Sequence, residues 1–93
     1  MAEHEDGPLS LFLAERYAPH MSAEAAHHDY DRLAAASEDL GRQGTIVRCL
    51  SSTLVPADET CFALCEARSA GDVALLGERA EAPFYRVVEA VRV

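Results

Sequence analysis

Leu9, Leu11 and Leu13 alternate with Ser10, Phe12 and Ala14 near the start of the chain. A period of two marks a strand, and apolar residues on both faces mark a strand covered on both sides. This predicts a strand over residues 9–16. Beyond Pro19 and His20 the period lengthens. Ala25, Tyr30, Leu33, Ala36 and Leu40 recur at helical spacing and would face a sheet. Ser22 is placed to cap this helix, and Glu24 lies in its first turn, where the helix dipole favours an anion. The helix is predicted to run to about residue 40, with Gly41 and Gly44 as its stop. Residues 45–55 are rich in β-branched side chains and predict a second strand, and residues 56–59 (Pro56, Ala57, Asp58, Glu59) a turn. A third strand follows over 60–67, again apolar on both faces from Cys61 to Cys65. Ser69 then caps a second helix running to about residue 81, with Val73, Leu75, Leu76 and Ala80 as its apolar residues and Pro83 as its end. The last strand is predicted over 84–93. Tyr85, Val87, Val91 and Val93 share one face, while Val88 and Ala90 alternate with Arg86 and Arg92 on the other, the pattern of an edge.

Strand, helix, strand, strand, helix, strand is the split βαβ order, so the fold class is α+β, ferredoxin-like βαββαβ. It has an antiparallel four-stranded sheet with two helices on one face. The first and third strands are central in this topology, and they are the most continuously apolar here. Such a unit has helices for only one face of its sheet. The other face, if apolar, needs a partner, and two copies meeting there would form a dimeric α/β barrel. The organisation expected is a loose polar tail over 1–8 and a single domain over 9–93, with no repeat or linker.

Composition narrows the partners. A chain of 93 residues has a small core, to which dimerisation would add stability. The net charge is −8 and there is no Lys; all eight cations are Arg. Nucleic acid and anionic membrane surfaces are recognised by clustered cations, so neither is expected as a partner. No apolar run approaches the roughly 20 residues that span a bilayer. The acidic start of the chain does not read as a signal peptide. A cytoplasmic location follows. The three Cys form no C-x-x-C pair and are expected as free thiols in a reducing compartment.

Candidate chemistry is sparse. His27 and His28 are adjacent on a helix and project about 100° apart. Asp31 lies within reach of both, a pattern that most often means a solvated contact. His20, in the loop after a central strand, is the better metal ligand. Cys61 and Cys65 share a strand face, and Cys49 on the partner strand of the hairpin can approach Cys65. Such thiols can bind a soft metal or be redox-active, although small buried core residues are the commoner case. Glu15, Arg48 and Glu66 are charged positions within or at the end of strands. A Glu–Arg pair across the sheet would be structural; several polar groups converging on apolar walls would make a pocket, to which Tyr30 and Tyr85 could add hydroxyls. No G-x-S-x-G, Walker loop or G-x-G-x-x-G is present.

Several stretches resemble a known family. Glu15-Arg16-Tyr17-Ala18-Pro19, then Val47-Arg48 with Leu50, then the run from Pro56 to Leu64, Glu66-Ala67, and Arg86-Val87-Val88-Glu89-Ala90-Val91 are similar to small bacterial proteins grouped as a domain of unknown function. Asp58-Glu59-Thr60-Cys61-Phe62 is the most specific part. The family includes a nickel-binding ferredoxin-like protein, and the resemblance implies a dimer of ferredoxin-like units. In nickel-binding members the metal is held largely by His; nickel or zinc is therefore the alternative to having no cofactor, with His20, His27 and His28 as this chain's own candidate ligands. The family often has aromatics where this chain has Cys49 and Cys65, and Gly where it has His20. The two aromatic-to-Cys changes would open space for a ligand beside the central strands. Three functions remain open. The first is a small binding or accessory protein holding an organic ligand among Glu15, His20, Tyr30, Arg48, Cys49, Cys65 and Tyr85. The second is a transition-metal binder. The third is a cofactor-free oxygenase, isomerase or cyclase with Glu15 as base and Arg48 as anion stabiliser.

Overall fold

The computed structural model describes residues 7–93; the first six positions of the predicted tail lie outside the described residues. The elements follow in the expected order: β1 (Ser10–Tyr17), α1 (Ala23–Arg42), β2 (Val47–Val55), a 3₁₀ turn (Pro56–Asp58), β3 (Thr60–Ala67), α2 (Ala70–Arg79) and β4 (Arg86–Ala90). The strands form one antiparallel sheet in the order β2-β3-β1-β4, the ferredoxin-like α+β arrangement. The caps are those read from the sequence. Ser22 Oγ accepts from the Ala25 amide at 3.0 Å, and Ser69 Oγ from the Asp72 amide at 3.2 Å. No helix among the described residues is long and apolar enough to cross a membrane.

Strand alternation sorts the core. Phe12, Ala14, Val47, Ala63, Cys65 and Ala67 face the helices and pack against Leu33, Ala36 and Leu40 of α1 and Val73, Leu76 and Ala80 of α2. The small residues at the centre of the sheet let both helices sit close. Leu40 and Leu76 are fully buried, each contributing about 1.5–3 kcal/mol relative to exposure. Leu75, expected among the apolar contacts of α2, is instead 40% exposed, because Gly77 takes the contact face beside Leu76.

An ion-paired clasp ties three elements. Arg16 leaves the helix side of β1 and bonds to Asp29 of α1. Asp29 also pairs with Arg32 at 2.9 Å. Arg32 continues to the carbonyls of Ala80 at 3.1 Å and Glu81 at 3.3 Å, capping the end of α2.

The end of α2 departs from expectation in an instructive way. The helix stops at Arg79, not near Glu81, because Glu81 adopts a left-handed conformation with φ 58°. The Ala82 amide then bonds to Gly77 O at 2.8 Å and the Glu81 amide to Glu78 O at 3.0 Å, a Schellman closure. Phe84 folds back onto Gly77; a Cβ at that glycine would lie 2.7 Å from the ring. Phe84 is therefore committed to the core before β4 begins. The last strand is also shorter than its apolar pattern predicts. Ala90 pairs with Leu11, and β1 begins only one residue further, at Ser10. Val91 falls opposite Ser10, the first residue of β1, and Val93 lies beyond the strand; both are exposed.

The face of the sheet turned away from the helices has an apolar centre. Leu11 and Leu13 of β1, Phe62 and Leu64 of β3, and Val88 and Ala90 of β4 point there by alternation and are half-buried. Ion pairs border it: Glu15 with Arg86 at one corner and Arg48 with Glu66 at 3.9 Å at another.

Two substitutions test the α2 closure. Gly77→Ala is expected to destabilise by about 1–3 kcal/mol, since Phe84 and the Ala82 carbonyl must move. Glu81→Gly is expected to stabilise by about 0.5–1 kcal/mol by removing left-handed strain. Urea unfolding followed by circular dichroism reads both, and the opposite sign at either position would contradict this account of the turn.

Candidate functional site

The seven residues proposed as a ligand-binding set do not converge. Glu15 and Tyr85 meet at one corner of the open sheet face, where the Tyr85 hydroxyl donates to Glu15 Oε1 at 3.0 Å and Arg86 engages Oε2. Both carboxylate oxygens are thus occupied by neighbours, which leaves Glu15 poorly placed as a base. Arg48 lies on the same face but far from it. Glu15 is in register with Phe62, whereas Arg48 is in register with Glu66. The two rows are about 13 Å apart along the strands and the two residues about 10 Å apart across them. Arg48 pairs with Glu66 across β2 and β3, the structural role weighed for it. His20 stands exposed in the β1–α1 loop with φ 57°, a left-handed conformation that glycine takes without strain.

Tyr30, Cys49 and Cys65 do come together, on the helix side of the β2–β3 edge. The Tyr30 hydroxyl donates to the carbonyl of Cys49 at 3.3 Å, with Leu50 O at 3.5 Å. Beside it α1 and β2 enclose a groove of about 460 Å³, lined by Ala23, Ala26, His27, Tyr30, Ser51, Ser52 and Leu54. Its walls carry no Asp, Glu, Lys or Arg. Tyr30 spends its proton on the backbone, so its oxygen faces the groove as an acceptor. His27 and the two serines add groups that can accept or donate. Neither Cys49 nor Cys65 lines this space; Cys65 is part of the packed core, against which Cys49 rests.

Ser51, Ser52 and Leu54 were not among the sequence candidates, and the reason is local. The register passes from Cys49 opposite Cys65 to Ser51 opposite Leu64, leaving Leu50 as an extra residue. This β-bulge inverts the alternation, bringing Ser52 and Leu54 to the helix side where unbroken pairing would bring Ser51, Thr53 and Val55. Nothing in the polarity of this segment announces the inversion.

Cys49 and Cys65 are directly opposed across the ladder. The Cys65 thiol donates to the Cys49 sulfur, which lowers the pKa of Cys49 below the ordinary thiol range; burial opposes this but is the smaller effect. The same bond, with burial, raises that of Cys65. Cys61 is buried further along β3 and exchanges a hydrogen bond with Ser52 Oγ at 3.3 Å. As to metals, His27 faces the groove and His28 is exposed, and among the described residues no three His, Cys, Asp or Glu side chains gather as a ligand set.

No family model and no curated protein matches the chain. The fold does match a solved structure, SCO4226 from Streptomyces coelicolor A3(2), with a TM-score of 0.78 and 21% identity, over 90% of this chain and 99% of that one. At that identity the likeness is one of fold: the chain shares its architecture with a Streptomyces protein.

The thiol geometry has a direct readout. Iodoacetamide is expected to label Cys49 first, with a rate that rises at a lower pH than for the same thiol in the unfolded chain, because the thiolate is the reactive form. Cys61 and Cys65 should react only after denaturation. Peptide mapping that found either of them modified before Cys49 would reject this ordering.

Proposed function

We propose that this protein is a small binding protein whose α1–β2 groove holds a neutral, partly apolar organic molecule bearing at least one hydroxyl or N–H donor. The groove itself carries the reading. Its volume of about 460 Å³ is within the range of about 300–1,000 Å³ for small-molecule sites. Its apolar walls, Ala23, Ala26 and Leu54, surround a few polar groups, Tyr30, His27, Ser51 and Ser52. Tyr30 offers an acceptor whose orientation is held by the bulge carbonyls. The absence of charged walls favours a ligand that need not shed a tightly held hydration shell.

The same reading pairs two copies of the chain through the open sheet face. Support comes from the apolar centre formed by Leu11, Leu13, Phe62, Leu64, Val88 and Ala90. The bordering Glu15–Arg86 and Arg48–Glu66 pairs carry both signs, so a second copy meets no uniform like charge there. A core of this size also gains from a partner.

Two experiments decide between these statements and their negation. In a thermal-shift screen of neutral hydroxylated compounds, a ligand at one hundred times its Kd is expected to raise the midpoint by roughly 10 °C or more. Ala26→Phe, which fills the groove from the exposed side of α1, should abolish the shift while the fold persists. Hits that stabilise both proteins equally would refute the groove. For the pairing, native mass spectrometry should find a dimer that Leu64→Arg converts to a folded monomer. A wild-type monomer at micromolar concentration would refute it.

A further inference from the structure

We propose that Cys49 and Cys65 form a thiol–disulfide exchange site that accepts a low-molecular-weight disulfide and closes to a cross-strand disulfide. The hairpin places the two residues directly opposite each other on the helix side of β2 and β3. Opposed residues in an antiparallel pair have Cα atoms about 4.5–5.5 Å apart, within the span of about 4.4–6.8 Å that a disulfide bridges. The third thiol is excluded by distance: Cys61 lies opposite Leu54 and four residues from Cys65, about 13 Å along the strand.

The two thiols also differ in the way exchange requires. Cys49 is partly accessible at the edge strand, with its sulfur beside Ser51 O at 3.4 Å, while Cys65 has no exposed surface. An incoming disulfide can reach only the first. Cys49, whose thiolate is favoured by the proton that Cys65 directs at its sulfur, acts as the attacking group. It forms a bond to one sulfur of the small disulfide and releases the other half as a thiolate, which takes up a proton. Cys65 then loses its proton and attacks the Cys49 sulfur. That step makes the internal bond and releases the second small thiol. Two protein thiols are oxidised and one small disulfide is reduced to two thiols, so electrons and protons balance.

The probe is glutathione disulfide, added to the reduced, untagged full chain after removal of reductant. Intact mass and a count of alkylatable thiols are read after acid quench. Wild type and Cys61→Ala are expected to lose two hydrogens and two free thiols, restored by dithiothreitol. Cys49→Ala should take up no glutathione, and Cys65→Ala should stop with one glutathione on Cys49. Because Cys65 is a core residue, the wild-type bond is also mapped directly. Cleavage at Arg48 and Arg68 leaves all three thiols on one peptide, and a second cut at Asp58 or Glu59 separates Cys49 from the others. A bond between Cys49 and Cys65 supports the site. A persistent glutathione adduct in wild type, a bond to Cys61, or reaction only in denaturant would overturn it.

Discussion

Leu50 has no partner on β3, and the candidate site is a consequence of that missing pairing. A bulge leaves backbone groups that the ladder does not use, and a half-covered sheet edge cannot leave them bare without penalty. Here the carbonyls of Cys49 and Leu50 receive the Tyr30 hydroxyl from α1. The contact satisfies the bulge and pins the first half of α1 over β2. The groove is the space left between that pinned helix and a strand whose alternation the bulge has just inverted. Cys49, the last residue before the register shift, remains opposite Cys65. Moving the bulge by one residue would therefore displace the groove lining, the Tyr30 contact and the thiol pairing together.

What could be read from the sequence, and what could not, divides along the same line. The topology was legible because β1 and β3 are apolar on both faces, which only central strands require, and because Ser22 and Ser69 sit immediately before their helices. The short turn at Pro56 made Cys49 legible as a neighbour of Cys65, but not as its direct partner: counting back from the turn puts Leu50 opposite Cys65, and the bulge brings Cys49 there instead. The separation of Glu15 from Arg48 was not legible. Alternation correctly assigns both to one face, but their separation depends on register across two strand pairs, which polarity does not encode. The role of Gly77 was invisible for a related reason: its missing Cβ matters only because Phe84 returns to it, a contact between residues that belong to no common periodic pattern. The early end of β4 likewise reflects where β1 begins, not the apolar character of Val91 and Val93.

The use of Arg without Lys becomes intelligible in the folded chain. Arg16, Arg32, Arg42, Arg48 and Arg86 all pair with carboxylates. Arg68 and Arg79 bond to Gly7 O and Gln43 Oε1. Arg32 engages Asp29 and two carbonyls at the end of α2 at once, which the planar fork of a guanidinium permits and a single ammonium does not do as well. Positive charge is thus consumed in holding the fold, and most of the outward charge is acidic. This bears on partners more directly than the net value alone, because seven of the eight Arg are already engaged within the fold.

That commitment also bears on the groove. An anionic ligand approaching a chain of net charge −8 would meet an unfavourable field at long range and no cation among the groove walls at short range. A cation would be drawn in but would find no carboxylate there to replace its water. A neutral molecule is indifferent to the field and loses little on desolvation, so in the proposed site apolar contact with Ala23, Ala26 and Leu54 would stabilise it while Tyr30 and His27 would set its orientation. The thiol pair responds to the same balance. With no cation beside it, Cys49 depends on the hydrogen bond from Cys65 to favour its thiolate. Closing a disulfide between the two would remove that bond and the thiolate together.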